Sequence, residues 1–210
     1  MSQNTGLVVL LPKVNKPKKI EDYRSLTLLN CDLKIATRAV TARLSDGVLL
    51  EKLMHPMEVR RGAARNINVA LCDLRDLINC YLMREKKGCL IALDFNGAFN
   101  AIRQDYILTV LEKKGLSDEV LKLFTTLTKA ARSRIQMNGE LTSGFRIGRS
   151  VRQGCPLSAV LFSIALSPLI TILHSKLEGM RISRCVFSVS SYADDVVVTL
   201  RTQAGGDHDI

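Results

Sequence analysis

The chain contains no Cys-x-x-Cys pair and only three histidines, His55, His174 and His208. That shortage excludes zinc-finger ligand spacing. The six cysteines (Cys31, Cys72, Cys80, Cys89, Cys155, Cys185) are scattered, mostly within apolar stretches such as "GCLIAL". Such placement predicts small buried thiols in a reducing, intracellular compartment. Acidic residues are also in short supply, 20 Asp and Glu against 30 Lys and Arg, for a formal charge of +10 and a pI near 9.5. The excess points to a polyanionic partner, nucleic acid ahead of an acidic membrane surface; the alternative is a basic surface that serves only solubility. Internal repeats are absent. No signal peptide is expected, since "LVVLL" is short and basic residues follow it rather than precede it.

Charge-free stretches are scarce as well, with one exception. Gly154 to Leu173 runs 20 residues without a charge, nominally enough to span a bilayer. Ser158, Ser163, Ser167, Pro156 and Pro168 lower its hydrophobicity, and Pro156 suits a helix start. A buried core helix is therefore expected ahead of a membrane span.

What the sequence does have is 210 residues, 47% hydrophobic and 24% charged, a globular composition sufficient for one or two domains. Gly6–Leu11 predicts a strand, followed by a mobile, solvated loop carrying Lys13, Lys16, Lys18 and Lys19. Leu33, Ala36, Val40 and Leu44 predict a helix over Cys31–Leu44. Ile67, Ala70, Leu71, Leu74, Leu77, Ile78, Tyr81 and Leu82 predict a longer one over about Ile67–Lys86, ended by Gly88. "CLIAL" (Cys89–Leu93) reads as a central strand ending at Asp94. "QDYILTVLEKKG" is a helix closed by Gly115, and Ser117 caps the next. Asn138–Gly139 predicts a hairpin turn within "RIQMNGELTSGFRI". Helices interleaved with antiparallel strands make the class α+β.

The chemistry concentrates in "SSYADDVVV" (Ser190–Val198), where Asp194 and Asp195 interrupt an apolar run. If the strand ending at Asp94 neighbours this hairpin, three carboxylates share one sheet edge. They cannot all stay ionised there without a cation. Magnesium suits them, as a hard ion that takes oxygen ligands and shares its shell with phosphates. Two such ions about 3.5–4 Å apart form the clamp of in-line phosphoryl transfer. The alternative is that these are ordinary turn residues.

These blocks resemble the reverse transcriptase domain of non-LTR (LINE-type) retrotransposons. "YADD" resembles the family's catalytic hairpin. "VRQGCPLSAVLF" (Val151–Phe162) is similar to the segment before it, also in group II intron enzymes. "LPKVNKPKKIEDYRSLTLLNCDLKIATRAVTARL" (Leu11–Leu44) resembles its first finger motif, and "LIALDFNGAFNAI" (Leu90–Ile102) its first palm motif. The resemblance spans about residues 7–201. It implies an α+β right-hand polymerase fold, with fingers and palm, an antiparallel palm sheet packed on helices, and the thumb absent. Residues 7–88 would be mainly fingers and 89–201 mainly palm, with a finger-hairpin insertion near 133–150 and a frayed tail at 202–210.

The same resemblance implies an RNA-directed DNA polymerase using two Mg2+ ions, with Mn2+ as a substitute, an RNA template, a DNA primer and dNTPs. Asp94 and Asp194 become direct metal ligands, Asp195 the third carboxylate, and the Phe95 backbone carbonyl part of a metal's shell. Arg24 would meet the incoming triphosphate, Phe99 would lie beneath the nucleotide sugar and exclude a 2′-hydroxyl, and Gln153 and Gly154 would border nucleotide and template. Arg152 pairs with phosphate or faces solvent, and the four loop lysines hold template or triphosphate or are simply solvated.

The pattern is also broken in places. Glu58, Arg60 and Arg61 replace a Gln, Gly and Phe of a template-side finger block, and Ala64 stands before Arg65 where a Gly is usual. Gly97 stands where Lys or Gln is common, Asn100 where Asp is usual, and Ser25 where a proline is usual. The other reading is therefore a non-catalytic retroelement remnant that at most binds nucleic acid.

Overall fold

Two sheets carry the motifs, and each belongs to a different compact unit of the chain. The computed structural model describes residues 4–45, 49, 52–55, 58–59, 67–129, 131–182 and 185–202. One unit comprises Met1–Leu49 with Gly97–Ala165, the other Leu50–Asn96 with Leu166–Ile210, so the chain visits each twice. The tail from 203 onward and Arg60, Arg61, Ala64 and Arg65 of the altered block lie outside the described residues.

In the first unit, β1 (Thr5–Pro12) pairs antiparallel with β2 (Tyr23–Leu28), placing Leu11 opposite Arg24. Its other edge pairs with β5 (Arg132–Met137) in parallel, which the expectation of antiparallel strands missed. β6 (Glu140–Leu141) and β7 (Phe145–Arg146) both pair antiparallel with β5. Between β5 and β6, Asn138 and Gly139 have φ of 51° and 85°. Two positive φ values are what a type I′ hairpin needs, hence the Asn-Gly pair.

The first helix, α1, covers Cys31–Leu44 as its periodicity predicts. Its buried positions are Leu33, Thr37 and Leu44 rather than Ala36, and the Thr37 hydroxyl donates to the Leu33 carbonyl at 2.8 Å. α2 (Ile67–Met83) belongs to the second unit. The first unit continues with α3 (Ala98–Ala101), α4 (Gln104–Lys113) and α5 (Asp118–Lys129). Gly115 closes α4 as expected. At φ 74° its N–H donates to the Glu112 carbonyl (2.9 Å), and the Leu116 N–H donates to the Leu111 carbonyl (3.3 Å), the two bonds of a Schellman motif.

In the second unit, α2 ends at Met83, before the expected boundary at Lys86. Glu85, not Gly88, takes the left-handed position (φ 51°), and the Lys86 N–H donates to the Tyr81 carbonyl at 3.0 Å. Only a narrow stripe of α2 is covered. Leu77 and Tyr81 pack with Met180, with Leu74 alongside, while Leu71 and Leu82 stay exposed.

A four-stranded sheet runs β3 (Glu58–Val59), β10 (Val189–Tyr192), β11 (Asp195–Arg201), β4 (Gly88–Asp94). β3 lies parallel to β10, and β10 and β4 are antiparallel to β11. β4 thus takes an end of the described sheet instead of its centre, and all seven of its residues are exposed. The segment before the hairpin is not one strand. β9 (Cys185–Phe187) pairs with β8 (Met180–Ile182), and Ser188 separates it from β10. There the Thr199 N–H donates to the Ser188 carbonyl, continuing the β10–β11 register, and its hydroxyl donates to the Phe187 carbonyl.

The uncharged segment forms α6 (Pro156–Lys176), with Pro156 at the first helical position. It is long and apolar enough to cross a membrane by length and composition. Leu157, Leu161, Phe162, Ile164 and Ile170 are nevertheless buried, as in a core helix. Ile170 joins Val189, Val196 and Val198 in the core behind the four-stranded sheet, with Phe95, Leu166, Leu173 and Leu177 packed against them. Each such aliphatic side chain contributes about 1.5–3 kcal/mol on full burial. The cysteines depart from expectation. All six are free, and none is buried, with Cys89 on the end strand β4 and Cys31 on the first residue of α1.

Candidate functional site

The second unit assembles the carboxylates. Tyr192 pairs with Asp195, so Ala193 and Asp194 form a two-residue hairpin loop. Ala193 has φ 56°, and Asp194 does not have a positive φ, the pattern of a type II′ turn. Glycine is the usual occupant there, and an L-residue costs about 1–2 kcal/mol. Strain of this kind, held by a well-paired hairpin, is a mark of functional turns.

β11 then runs back along β4, and Asp195 stands opposite Asp94. Residues directly opposite share a face of the sheet. Val196 and Val198 enter the core, so alternation puts Asp195 and Asp94 on the other face, together with Tyr192. Asp94 and Asp195 are exposed and Asp194 half-buried. Phe95 packs its ring into the core behind the sheet, which anchors the backbone immediately after Asp94. The strand ending at Asp94 therefore does lie beside the Asp194–Asp195 hairpin.

These donors suit a hard divalent cation, being accessible carboxylate oxygens on one sheet end. Among the described residues, however, no three or more His, Cys, Asp or Glu side chains gather closely enough to hold a metal ion. The arrangement is a facing pair, Asp94 and Asp195, with Asp194 next in the chain. Glu58 of the altered block is backbone-paired with Ser191 in this same sheet, a position that the expected template-side finger role did not anticipate.

The first unit assembles the other expected residues around β2. Arg24 is exposed on β2. The Thr27 N–H of the same strand donates to the Gln153 carbonyl at 2.8 Å. Gly154 follows at φ 110°, and a Cβ there would lie 2.4 Å from the Thr27 carbonyl oxygen. Only glycine lets the loop approach the strand so closely. The Val151 N–H donates to the Phe99 carbonyl at 2.9 Å, and the Phe99 ring stacks on Phe162 with centroids 4.6 Å apart and planes at 22°. The Gln153–Gly154 loop is thus held to β2, the strand that carries Arg24, and Val151 is held to Phe99.

Arg152 fits neither expectation fully, because it is buried. Its guanidinium donates to the Asn4 carbonyl (3.2 Å), Asn4 Oδ1 (2.7 Å) and the Leu127 carbonyl (3.4 Å), and burial pushes its pKa down. The lysine loop is solvated as expected but is also tied. Asp22 accepts from the Lys18 and Lys19 N–H groups at 2.7 and 2.9 Å, bonds that hold its carboxyl below the ordinary range. Asp22 was missed in the sequence. An aspartate three residues beyond a lysine pair is the available signal.

Comparison with known proteins adds an independent finding. The family model described as reverse transcriptase (RNA-dependent DNA polymerase) matches residues 14–209. The chain is 29% identical over 200 residues to the transposon TX1 uncharacterized 149 kDa protein of Xenopus laevis, covering 94% of this chain and 15% of that protein. It is 22% identical to a Pol polyprotein from the type-2 retrotransposable element R2DM of Drosophila melanogaster, over 94% of this chain and 18% of that one. It therefore spans less than a fifth of the length of either relative. Among solved structures, telomerase from Candida tropicalis in complex with a fragment of telomeric RNA superposes with a TM-score of 0.66 at 12% identity, covering 96% of this chain and 36% of that chain. The apo form of that telomerase, truncated of its C-terminal domain, gives 0.64 at 13% identity, over 96% and 44%. Both likenesses concern the fold.

Proposed function

Because this chain belongs to the reverse transcriptase (RNA-dependent DNA polymerase) family, as a domain of the non-LTR retrotransposon type, we propose that it adds dNTPs to a DNA primer 3′-hydroxyl on an RNA template. The observation carrying the proposal is the register that sets Asp94 opposite Asp195, beside Asp194, on the exposed face of the sheet. Two like charges there are unfavourable on their own and gain a purpose only with a cation.

Asp94, Asp194, Asp195 and the Phe95 carbonyl would hold two Mg2+ ions, or Mn2+ in their place. Bound there, the ions supply Lewis acidity to phosphoryl transfer. The residues of the first unit carry the nucleotide roles that the family resemblance gives them. Arg24 offers a guanidinium fork to triphosphate oxygens. Phe99, kept from turning by its stack on Phe162, presents a flat surface that leaves no room for a ribose 2′-hydroxyl. Gln153 and Gly154 border nucleotide and template, their loop held to β2 through Thr27. The excess of 30 basic over 20 acidic residues suits a nucleic-acid partner. The division into fingers at 7–88 and palm at 89–201, with a finger hairpin at 133–150, accompanies this reading.

One observation favours the second reading, a remnant that binds nucleic acid without polymerising it. No three-donor metal group forms among the described residues. Primer extension on an RNA template with dNTPs and Mg2+ separates the two. Extension that disappears in Asp194→Ala supports the polymerase. Salt-sensitive RNA binding without extension, unchanged in Asp194→Ala, supports the remnant.

A further inference from the structure

Within the first unit, α4, α5 and the segment Arg146–Arg149 enclose an open cleft of about 500 Å³. That volume lies within the range of ligand pockets. None of the residues given nucleotide or template roles lines it, neither Arg24, Phe99, Gln153 nor Gly154.

The cleft has an apolar floor and a cationic rim. Leu108 of α4, Phe124 of α5 and Ile147 form the floor, Phe124 buried and the other two half-buried. Arg103, Arg146 and Arg149 stand round it, and Asp105 is the one acidic residue of its lining. Asp105 is already taken. It accepts from Arg103 Nε at 2.9 Å and from a second nitrogen of the same guanidinium. Arg146 and Arg149 are exposed, and among the described residues no carboxylate pairs with either.

The backbone crowds these charges together. Arg149 stands opposite Arg103 in an isolated antiparallel bridge, and Arg146 stands opposite Arg132 across the β5–β7 pair. Like charges directly opposite one another are unfavourable. With Asp105 bound to Arg103, this face is short of negative charge, which a partner can bring.

The floor decides which kind of anion fits. A nucleic-acid strand brings phosphates, and its unpaired bases stack on exposed ring faces. The ring of Phe124 is 4% exposed and offers no such face. An aliphatic side chain needs only apolar surface, and carboxylates match guanidinium forks in bidentate fashion.

We propose that this cleft binds an acidic peptide segment of a partner protein, its aliphatic side chain seated on Leu108, Phe124 and Ile147 and its flanking carboxylates paired with Arg146 and Arg149.

The test is calorimetric titration of the full chain, in EDTA and low salt, with the acetylated and amidated pentapeptide Asp-Glu-Leu-Glu-Asp. Neither metal nor nucleic acid is present, so failure of polymerisation is read separately. The peptide should bind. Replacing its leucine by glycine, or its acids by their amides, should each weaken binding about tenfold. Arg146→Ala with Arg149→Ala should also weaken it about tenfold, as loss of two exposed ion pairs does. Both side chains are exposed, so this doubly substituted chain should keep the circular dichroism of the wild type. Arg146→Glu with Arg149→Glu should reverse the preference, towards a peptide with lysines in place of the acids. No binding, equal binding of the glycine peptide, or binding untouched by the substitutions overturns the proposal. An oligoadenylate pentamer that binds more tightly than the peptide, and is weakened by the same double substitution, overturns it too and makes the cleft a nucleic-acid contact.

Discussion

Asp94 and Asp195 face each other across the β4–β11 pair. Like charges directly opposite in a sheet destabilise it by roughly 0.2–1 kcal/mol. Asp195→Asn should therefore raise the stability of the metal-free chain by about that amount while removing polymerisation. Mg2+ should raise the melting temperature of the wild-type chain and leave that of Asp195→Asn nearly unmoved. Thermal unfolding with and without Mg2+ measures both, and a wild-type chain indifferent to Mg2+ contradicts a metal role for the pair.

Gly154 has no room for a side chain. A Cβ would sit 2.4 Å from the Thr27 carbonyl oxygen, in a backbone at φ 110°. Gly154→Ala should cost roughly 2–4 kcal/mol, combining overpacking with left-handed strain. Urea unfolding measures the loss. A cost below about 1 kcal/mol means that the loop is not held against β2.

Glu85 ends α2 in a conformation that glycine adopts without strain. Glu85→Gly should stabilise the chain by about 1 kcal/mol, since relief of the left-handed cost exceeds the added unfolded-state freedom. The same unfolding experiment reports the sign.

Arg103 and Asp105 pair at the start of α4, the Arg103 Nε donating to Asp105 Oδ1 at 2.9 Å. Those guanidinium hydrogen bonds, helped by the Tyr106 N–H, hold the Asp105 carboxyl at about 2. The folded value lies below the unfolded one of about 3.9. The stabilisation is thus present above that value and lost as pH falls through about 2. An NMR titration should place Asp105 near 2 in the wild-type chain and near 3.9 in Arg103→Ala.

Much of this was legible in the sequence where a local rule dictates structure. Leu33 and Leu44 mark the ends of α1's buried stripe, Gly115 caps α4, and Asn138–Gly139 turns β5 into β6 because only φ > 0 fits. Long-range pairing was less legible. "CLIAL" is apolar enough for a central strand, yet β4 stands at an end of the described sheet, and nothing in its own residues encodes its neighbours. The parallel β1–β5 pair joins segments far apart in the chain. Glu85 in place of Gly88 shows a helix end fixed by backbone bonds rather than by residue preference. In the candidate site, the adjacency of the strand ending at Asp94 and the Asp194–Asp195 hairpin was legible.

The most direct test of the carboxylate site is single-turnover incorporation of one dNTP on an RNA-templated primer in Mg2+, comparing wild type with Asp94→Asn. The expected result is incorporation by the wild-type chain and its loss in the variant, with RNA binding retained in both. Equal incorporation by the two chains, or none by a folded, RNA-binding wild type, would contradict a polymerase site built on Asp94 and Asp195.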